Sequence, residues 1–232
     1  MQGIFITGTN TGVGKTTIAS GIAWMLRERG FNVGVMKPFA SAKKPFSIKF
    51  KSEDSFLLSR AAKVKDTGSE INPFFYSVAE APFVASRLMN IMDLDLQTAL
   101  MLFQKLALKH DYMVVEGIGG IMVPLTKNKT VADFVRLIRL PVLVIALTAL
   151  GTINHTLLTL QLCKDYDLDV RGIVINGMPK YPTRAQRRLP ETLEELSGVK
   201  VISVIPHSKR VTTRSIAFIL DKQSDIENIL HL

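Results

Sequence analysis

Cysteine is nearly absent from this chain of 232 residues, because Cys163 is its one thiol. A single cysteine cannot form an internal disulfide, and it fits the reducing cytoplasm, which is where we expect the protein to be located. Cys163 lies among leucines at helical spacing. We therefore interpret it as a core residue and not as a nucleophile.

Long apolar runs are also missing. The longest apolar run, residues 140–150, is shorter than the roughly 20 residues of a membrane-spanning helix, and it contains Pro141 and Thr148. The chain begins with a strand pattern, so we expect no targeting signal ahead of the fold. These features exclude a membrane-spanning protein, and we expect no membrane partner.

Acidic residues are fewer than basic ones, which gives a net charge of +9. Such a charge suits either a polyanionic nucleotide or a nucleic acid or anionic membrane. The densest basic patches are Lys43, Lys44, Lys49 and Lys51, and Arg184, Arg187 and Arg188. Few aromatic residues interrupt these patches, whereas a single-strand binding platform needs stacking rings. We expect no nucleic-acid partner.

Residues 4–17 carry the strongest chemical signal. The apolar run 4–6 ends in a turn rich in glycine and threonine, and a helical pattern follows directly. A glycine loop between strand and helix lets backbone N–H groups surround phosphate oxygens. Lys15 would then reach the terminal phosphates, and the Thr16 hydroxyl would bind Mg²⁺. The predicted nucleotide-binding residues of this loop are Gly12, Val13, Gly14, Lys15, Thr16 and Thr17.

The loop is one residue longer than the common phosphate-binding pattern, because five residues separate Gly8 from Gly14. The alternative is an ordinary glycine-rich turn with a solvated Lys15. That alternative does not explain a cation in the first helical turn, where the helix dipole disfavours one.

The rest of the chain alternates apolar strands with helices. The predicted strands are 4–6, 32–36, 112–115, 142–147, 170–175 and 199–205. The predicted helices follow the loop and cover 54–63, two stretches of 80–110 separated near Asp93, 130–139, 154–165 and 184–197. We interpret residues 39–52 as a lysine-rich loop. This pattern predicts a single α/β domain over 1–232, with a mainly parallel sheet covered by helices on both faces.

Ligands of such a sheet bind beyond the carboxyl ends of its strands. The segments that follow the predicted strands are 7–16, 37–38, 116–120, 148–154, 176–177 and 206–207. They bring together lysines, a glutamate, two glycine-rich turns and an asparagine. We expect the functional site there.

In these segments the sequence resembles the dethiobiotin synthetase family of the deviant P-loop ATPases. The resemblance covers most of the chain. The distinctive blocks are the loop at 8–16, Lys-Pro-x-x-Ser at 37–41, Glu-Gly-x-Gly-Gly at 116–120 and Gly-x-x-Asn-His at 151–155. Further matches are Asp54, Asn72-Pro73, Glu80-Ala-Pro82, Pro124-Leu125 and Ala132-Asp133.

The resemblance implies an ATP-dependent cyclo-ligase of biotin biosynthesis. One amine of 7,8-diaminononanoate takes up CO₂ as a carbamate, ATP phosphorylates that carbamate, and the second amine closes the cyclic urea. ADP and phosphate are released. Such an enzyme must hold a carbamate near a γ-phosphate, which requires concentrated positive charge.

The resemblance also implies roles for individual residues. Thr16, Asp54 and Glu116 would hold Mg²⁺, and Lys37 would be catalytic together with Lys15. Thr11 and Ser41 would contact the substrate. A homodimer is implied, because Gly151, Thr152 and Asn154 would reach the diamine across a two-fold interface. The remaining nucleotide-binding residues would be Gly117, Gly119, Asn176, Gly177 and Pro206, with Asn176 reading adenine.

Simpler interpretations of four residues stay open. Lys37 would be a solvated lysine after a strand, Asp54 a helix N-terminal acid, and Glu116 a structural residue. His155 would be a packing residue or would support its neighbours. The sequence also departs from the family pattern at Gly12, where some members have glutamate, at Ala42, which replaces a glycine, and in the segment 205–211.

Two other functions fit the same fold. One is a cobyrinate-type ligase, which normally carries a glutaminase domain that this sequence has no room for. The other is a partitioning ATPase that switches on DNA or membranes. Those proteins place a lysine early in the loop, where this chain has Asn10, and the tail 225–232 is too short and acidic to bind a membrane. We expect Lys37, at the end of the neighbouring strand, to replace that lysine.

Overall fold

A computed structural model describes residues 2–92, 94–208, 212–222 and 226–230. Asp93, Lys209, Arg210 and the tail positions 225, 231 and 232, on which parts of the sequence analysis depended, lie outside them. The strands are β1 Gln2–Gly8, β2 Val33–Met36, β3 Phe39–Ser41, β4 Phe74–Tyr76, β5 Tyr112–Glu116, β6 Val142–Leu147, β7 Val170–Met178 and β8 Val201–Pro206. The helices are α1 Lys15–Glu28, α2 Glu53–Ala62, α3 Gly68–Ile71, α4 Pro82–Leu88, α5 Leu96–Ala107, α6 Val131–Ile138, α7 Thr152–Asp165, α8 Arg184–Ser197, α9 Thr213–Asp221 and α10 Ile226–Leu230.

Six strands form one parallel sheet in the order β2-β5-β1-β6-β7-β8. The carboxyl ends of all six therefore lie at one edge of the sheet. The expectation that Lys37 ends the strand next to β1 is wrong, because β5 lies between β1 and β2. This insertion places Glu116, at the end of β5, between the phosphate loop and Lys37.

The strands are apolar throughout because both faces of the sheet are covered. Ile4 and Ile6 of β1 pack with α1, α2 and α9 on one face, whereas Phe5 packs with α5 and α6 on the other. Successive strand residues point to opposite faces, so a strand buried on both sides needs apolar residues at every position. The predicted α/β fold with helices on both faces is confirmed.

The segment 39–52 is not wholly a loop as we predicted. Residues 39–41 form β3, which pairs in parallel with β4 beyond the end of β2. A strand of three residues is too short for periodicity to reveal. β7 also continues through Asn176 and Gly177 to Met178, with an irregular register against β8, whereas we predicted that it stops at residue 175.

Cys163 is fully buried in α7, which confirms its assignment to the core. Burial raises the pKa of its thiol to about 12. In the part of the chain that the structure describes, no helix has both the length and the apolar character needed to cross a membrane.

Candidate active site

Glycines give the loop between β1 and α1 its shape. Gly12 and Gly14 have φ angles of 77° and 95°, which side chains other than glycine rarely adopt. A Cβ atom at Gly14 would also lie 2.1 Å from Asn176 Nδ2. The loop thus brings its backbone to the start of α1, whose N-terminus favours a bound anion.

Lys15 opens α1 and is buried beneath the loop. Its ammonium donates a hydrogen bond to the Asn10 carbonyl, 2.9 Å away. Burial, with a contribution from the nearby Lys37 charge, lowers the pKa of Lys15 to about 8. The loop therefore holds a cation poorly satisfied by protein groups, which a phosphate would stabilise.

Three oxygen-bearing side chains meet next to Lys15. The Thr16 hydroxyl lies 2.8 Å from Asp54 Oδ1 and 2.8 Å from Glu116 Oε1. A hydroxyl has one proton and can donate to only one of these carboxylates at a time. Glu116 Oε2 is buried and has no hydrogen-bond partner. The site thus contains more acceptor oxygens than donors.

Lys37 lies beside the same carboxylates and is 3% exposed. Its ammonium is 2.8 Å from Asp54 Oδ2 and 2.7 Å from Glu116 Oε1, and it donates to the Gly117 carbonyl at 3.0 Å. Burial disfavours its charge, but the two carboxylates outweigh burial, and the pKa of Lys37 is raised. Lys37 is thus a buried cation and not a solvated lysine, which excludes the simpler interpretation.

The two carboxylates differ in their titration. Burial opposes ionisation of Asp54, but Lys37 and the Thr16 hydrogen bond hold its pKa below the ordinary value. Glu116 is 1% exposed, and burial raises its pKa despite the opposing Lys37 charge. A further cation bound here would favour the ionised form of both groups.

These oxygens fit Mg²⁺. Magnesium prefers oxygen ligands, and it usually takes one or two carboxylates and completes its shell with phosphate oxygens and water. Thr16, Asp54 and Glu116 provide one hydroxyl and two carboxylates at the phosphate loop. No group of three or more histidine, cysteine, aspartate or glutamate side chains within the described ranges forms a metal cluster.

A cavity of about 590 Å³ opens over this cluster. It brings together most of the predicted site residues. Its predicted lining residues are Thr11, Gly12, Gly14, Lys15, Thr16, Thr17, Lys37, Ser41, Asp54, Glu116 and Gly119. Glu80 also lines the cavity and was absent from our predicted site. The Glu80-Ala-Pro82 block was the signal that pointed to it.

Val13 and Gly117 do not line the cavity. Val13 is buried, and its carbonyl accepts a hydrogen bond of 2.9 Å from Asn176 Nδ2. Asn176 thus holds the phosphate loop to β7. Gly177 follows it with a φ angle of 77°, and Pro206 ends the adjacent β8. Asn176, Gly177 and Pro206 lie at the same sheet edge but outside the cavity.

The residues predicted to face a partner lie elsewhere. Gly151 and Thr152 line an apolar depression between β6 and α8, and Asn154 lines a groove between α7 and α8. His155 is exposed, so it is not the packing residue that we expected. In a single chain this segment is therefore not part of the cavity at the phosphate loop.

The sequence has close relatives of known name. A family model described as an AAA domain matches residues 2–215. The chain is 37% identical to the ATP-dependent dethiobiotin synthetase of Nitrosopumilus maritimus, covering 99% of this chain and 100% of that protein. It is 36% identical to the synthetase of the same name from Bacillus subtilis strain 168, covering 93% and 92%.

Solved structures share the fold at low sequence identity. The cell division protein MinD of Aquifex aeolicus has a TM-score of 0.57 and 16% identity, covering 99% of this chain and 94% of its own. A ParA family ATPase of Chlorobium tepidum has a TM-score of 0.53 and 16% identity, covering 98% and 92%. These likenesses bear on the fold alone.

Proposed function

The chain belongs to the family of ATP-dependent dethiobiotin synthetases, and from that premise we propose how its cavity closes the cyclic urea of dethiobiotin. The enzyme is an ATP-dependent cyclo-ligase of biotin biosynthesis. Its substrates in this proposal are ATP, 7,8-diaminononanoate and CO₂ or bicarbonate. Residues 1–232 act as one domain.

The observation that carries the proposal is the continuity of one cavity from the phosphate loop to Ser41. Lys15 and Thr16 line this cavity at the phosphate loop, and Ser41, the last residue of β3, lines it as well. A simple ATPase needs only the part at the phosphate loop. A ligase that joins a nucleotide phosphate to a second substrate needs the part at Ser41 as well.

The phosphate end binds the nucleotide. The loop N–H groups and Lys15 hold the β- and γ-phosphates, and the lowered pKa of Lys15 reflects a cation that gains by acquiring an anionic partner. Thr16, Asp54 and Glu116 would hold Mg²⁺. When bound, Mg²⁺ neutralises charge on the phosphate oxygens.

Lys37 is the catalytic lysine of the proposal. The carbamate oxygen forms a bond to the γ-phosphorus as the bond between that phosphorus and ADP breaks, so two anionic groups must approach. A buried ammonium that is already held by Asp54 and Glu116 offers charge without reorganisation. The second amine then attacks the carbamate carbon, loses a proton and displaces phosphate.

Thr11 and Ser41 contact the diamine in this scheme, because both line the cavity and carry hydroxyls. The base of ATP lies towards Asn176, Gly177 and Pro206, with Gly117 and Gly119 on the other side of the loop. Since Asn176 Nδ2 already donates to the Val13 carbonyl, its Oδ1 is the atom left to read the base.

A homodimer completes the site. Large apolar side chains lie around the start of α7, where Gly151 precedes the helix and Thr152 and Asn154 lie in its first turn. Those with more than a third of their area exposed are Leu147, Leu150, Ile153, Leu158 and Leu196. Contiguous exposed apolar side chains are typical of protein interfaces. A second copy seated there would bring the start of its own α7 to the diamine.

We place the protein in the cytoplasm, where its free Cys163 stays reduced. No nucleic acid or membrane takes part in the proposed reaction. The partitioning ATPases share the fold, but the sequence relatives covering the whole chain are synthetases. The uncharged Asn10 at the position of their loop lysine also favours the synthetase.

The test is phosphate release with ATP, Mg²⁺ and bicarbonate, in the presence and absence of 7,8-diaminononanoate. We expect release to depend on the diamine and to match dethiobiotin formation, measured by mass spectrometry. The matched control is Lys43→Gln, which removes an exposed lysine near Ser41 and should behave as wild type. Equal release without the diamine, or stimulation by DNA or lipid alone, would refute the proposal.

A further inference from the structure

Glu80 brings to the cavity a carboxylate that pairs with no cation of the described residues. The other two carboxylates of the cavity, Asp54 and Glu116, are occupied with Lys37 and Thr16. Within the described residues, the Glu80 side chain makes no hydrogen bond or ion pair, and it is exposed to the cavity. Its charge is therefore free to bind a ligand.

The surrounding backbone fixes where this carboxylate lies. Glu80 belongs to the connection between β4 and α4, and its N–H donates to the Val78 carbonyl at 2.8 Å. The start of α4 is tied to the segment after β5, because Phe83 N–H donates to the Pro124 carbonyl at 3.2 Å. β4 pairs with β3, which ends at Ser41. Glu80 and Ser41 therefore belong to one small unit that lines the cavity.

The charges of the cavity explain what this unit would bind. Lys15 and Lys37 line the phosphate end, and their positive charges disfavour an ammonium group beside them. Alkyl amines resemble the lysine side chain, whose pKa is about 10.4, so a diamine enters at neutral pH with ammonium charge. Asp54 and Glu116 are already paired with Lys37 at the phosphate end, so an ammonium group gains more from a carboxylate elsewhere in the cavity.

We propose that Glu80 binds the ammonium group of the diamine that does not take up CO₂, and that it determines specificity for a diamine. This inference rests on the proposed function. Glu80 holds one amine near Ser41 while the other amine faces the phosphate end. The recognised chemistry is a vicinal diamine, and a monoamine that lacks the amine bound by Glu80 makes no use of this carboxylate.

The test compares Glu80→Gln with wild type in binding of the diamine. Charge-assisted hydrogen bonds contribute about twice as much as neutral ones, and solvent screens an exposed group, so we expect about a tenfold rise in Kd and KM for the diamine. The Kd for ATP should not change. Glu80→Asp keeps the charge and should recover part of the affinity.

Glu28→Gln is the matched control. Glu28 is an exposed glutamate at the far end of α1, about 20 Å of helix away from the phosphate loop. Its substitution should leave every constant at the wild-type value. A thermal melt of Glu80→Gln should coincide with wild type, because the side chain makes no hydrogen bond or ion pair within the described residues.

Two monoamine analogues, 7-aminononanoate and 8-aminononanoate, show which of the two amines Glu80 binds. Glu80→Gln should weaken binding of the analogue that retains the bound amine and leave the other unchanged. If Glu80→Gln binds the diamine and both analogues as wild type does, the proposal is overturned while diamine-dependent phosphate release still supports the synthetase. If wild type shows no such release, the proposed function itself fails, and the role of Glu80 with it.

Discussion

The buried lysine Lys37 illustrates how a single residue is prepared for its chemistry. Three acceptors surround its ammonium: two carboxylates and the Gly117 carbonyl. Burial of an unpaired ammonium would cost several kcal/mol, so these acceptors are what keep it charged. The charge is thus in place before any substrate arrives, which is the condition for electrostatic catalysis.

Replacement of Lys37 by glutamine should lower kcat by about 10²–10³, or roughly 3–4 kcal/mol, because glutamine keeps hydrogen bonding but removes the charge. The Kd for ATP should change much less, since Lys15 and the loop amides remain. Single-turnover phosphate release gives the rate, and calorimetry gives the affinity. A Lys37→Gln enzyme that turns over at a near wild-type rate would remove Lys37 from the mechanism.

Asp54 is the cleaner probe of the Mg²⁺ site. Its side chain is 37% exposed, whereas Glu116 is buried against Lys37. Asp54→Asn should raise the Mg²⁺ concentration for half-maximal activity by about tenfold, because it removes one charged ligand, while solvent around the partly exposed Asp54 limits the loss of stability from its contact with Lys37. Glu116→Gln should do the same and also lower stability, since it leaves a buried ammonium with fewer partners.

Activity measured against Mg²⁺ concentration, together with a urea titration of each variant, separates the two effects. If Asp54→Asn loses stability and keeps the wild-type Mg²⁺ dependence, Asp54 is merely a residue of the first turn of α2. Glu53→Gln, which removes the exposed carboxylate next to Asp54 in the first turn of α2, is the matched control for a general effect of lost acid.

At the scale of elements, α1 is held close to α9 by a glycine. A Cβ atom at Gly21 would lie 2.4 Å from Ile216 Cγ2 and 3.0 Å from Ile216 Cβ. Both residues are buried in the core on one face of the sheet. The two helices therefore approach more closely than any residue other than glycine permits, and α9 fixes the helix that follows the phosphate loop.

Gly21→Ala should destabilise the protein by about 1–3 kcal/mol, although alanine is the better helix former by roughly 1 kcal/mol. The cause is overpacking against Ile216. The Ile216→Ala variant loses its own buried side chain, but the double variant should cost less than the sum of the two single variants. Urea titrations of all four proteins measure this coupling. Strict additivity would show that Ile216 does not impose the close approach.

The sequence predicts the elements of this fold well where periodicity is long. The strand 142–147 and the helix 184–197 match the structure to the residue. β3 was missed because Phe39–Ser41 is stabilised by pairing with β4, some 30 residues later, and not by local pattern. Strand order was also beyond local reasoning, since it depends on how β5 inserts between β1 and β2.

The residues of the candidate site also differ in whether the local sequence pattern predicts them. Lys15 and Thr16 are recognisable because their spacing within the loop reflects local geometry. That Lys37, Asp54 and Glu116 share one cluster depends on three separate elements meeting at the sheet edge, and spacing alone does not imply it. Glu80 was missed as a site residue because its position follows from the pairing of β3 with β4.

At the scale of the whole molecule, the distribution of exposed side chains points to a second copy. Leu150 is fully exposed and Leu158 is 62% exposed; Leu150 directly precedes Gly151 at the start of α7, and Leu158 lies in α7. Within one described chain the segment 151–154 does not reach the cavity at the phosphate loop. A dimer explains both the exposed leucines and the absence of this segment from the cavity, if each site combines Lys37 of one copy with the start of α7 of the other.

Mixing two inactive variants tests this shared site. Lys37→Gln removes the proposed catalytic lysine, and Asn154→Ala with Thr152→Ala removes the proposed contacts at the start of α7. After refolding of an equal mixture, about half of the dimers contain one chain of each kind, and each of these has one site with both parts intact. Activity should therefore return to about a quarter of the wild-type level, whereas each variant alone stays inactive. Unmixed variants refolded separately and then combined are the control.

Light scattering should show about twice the mass of the 25.7 kDa chain. A fully active monomer, or a mixture that recovers no activity, would show that each chain builds its site alone.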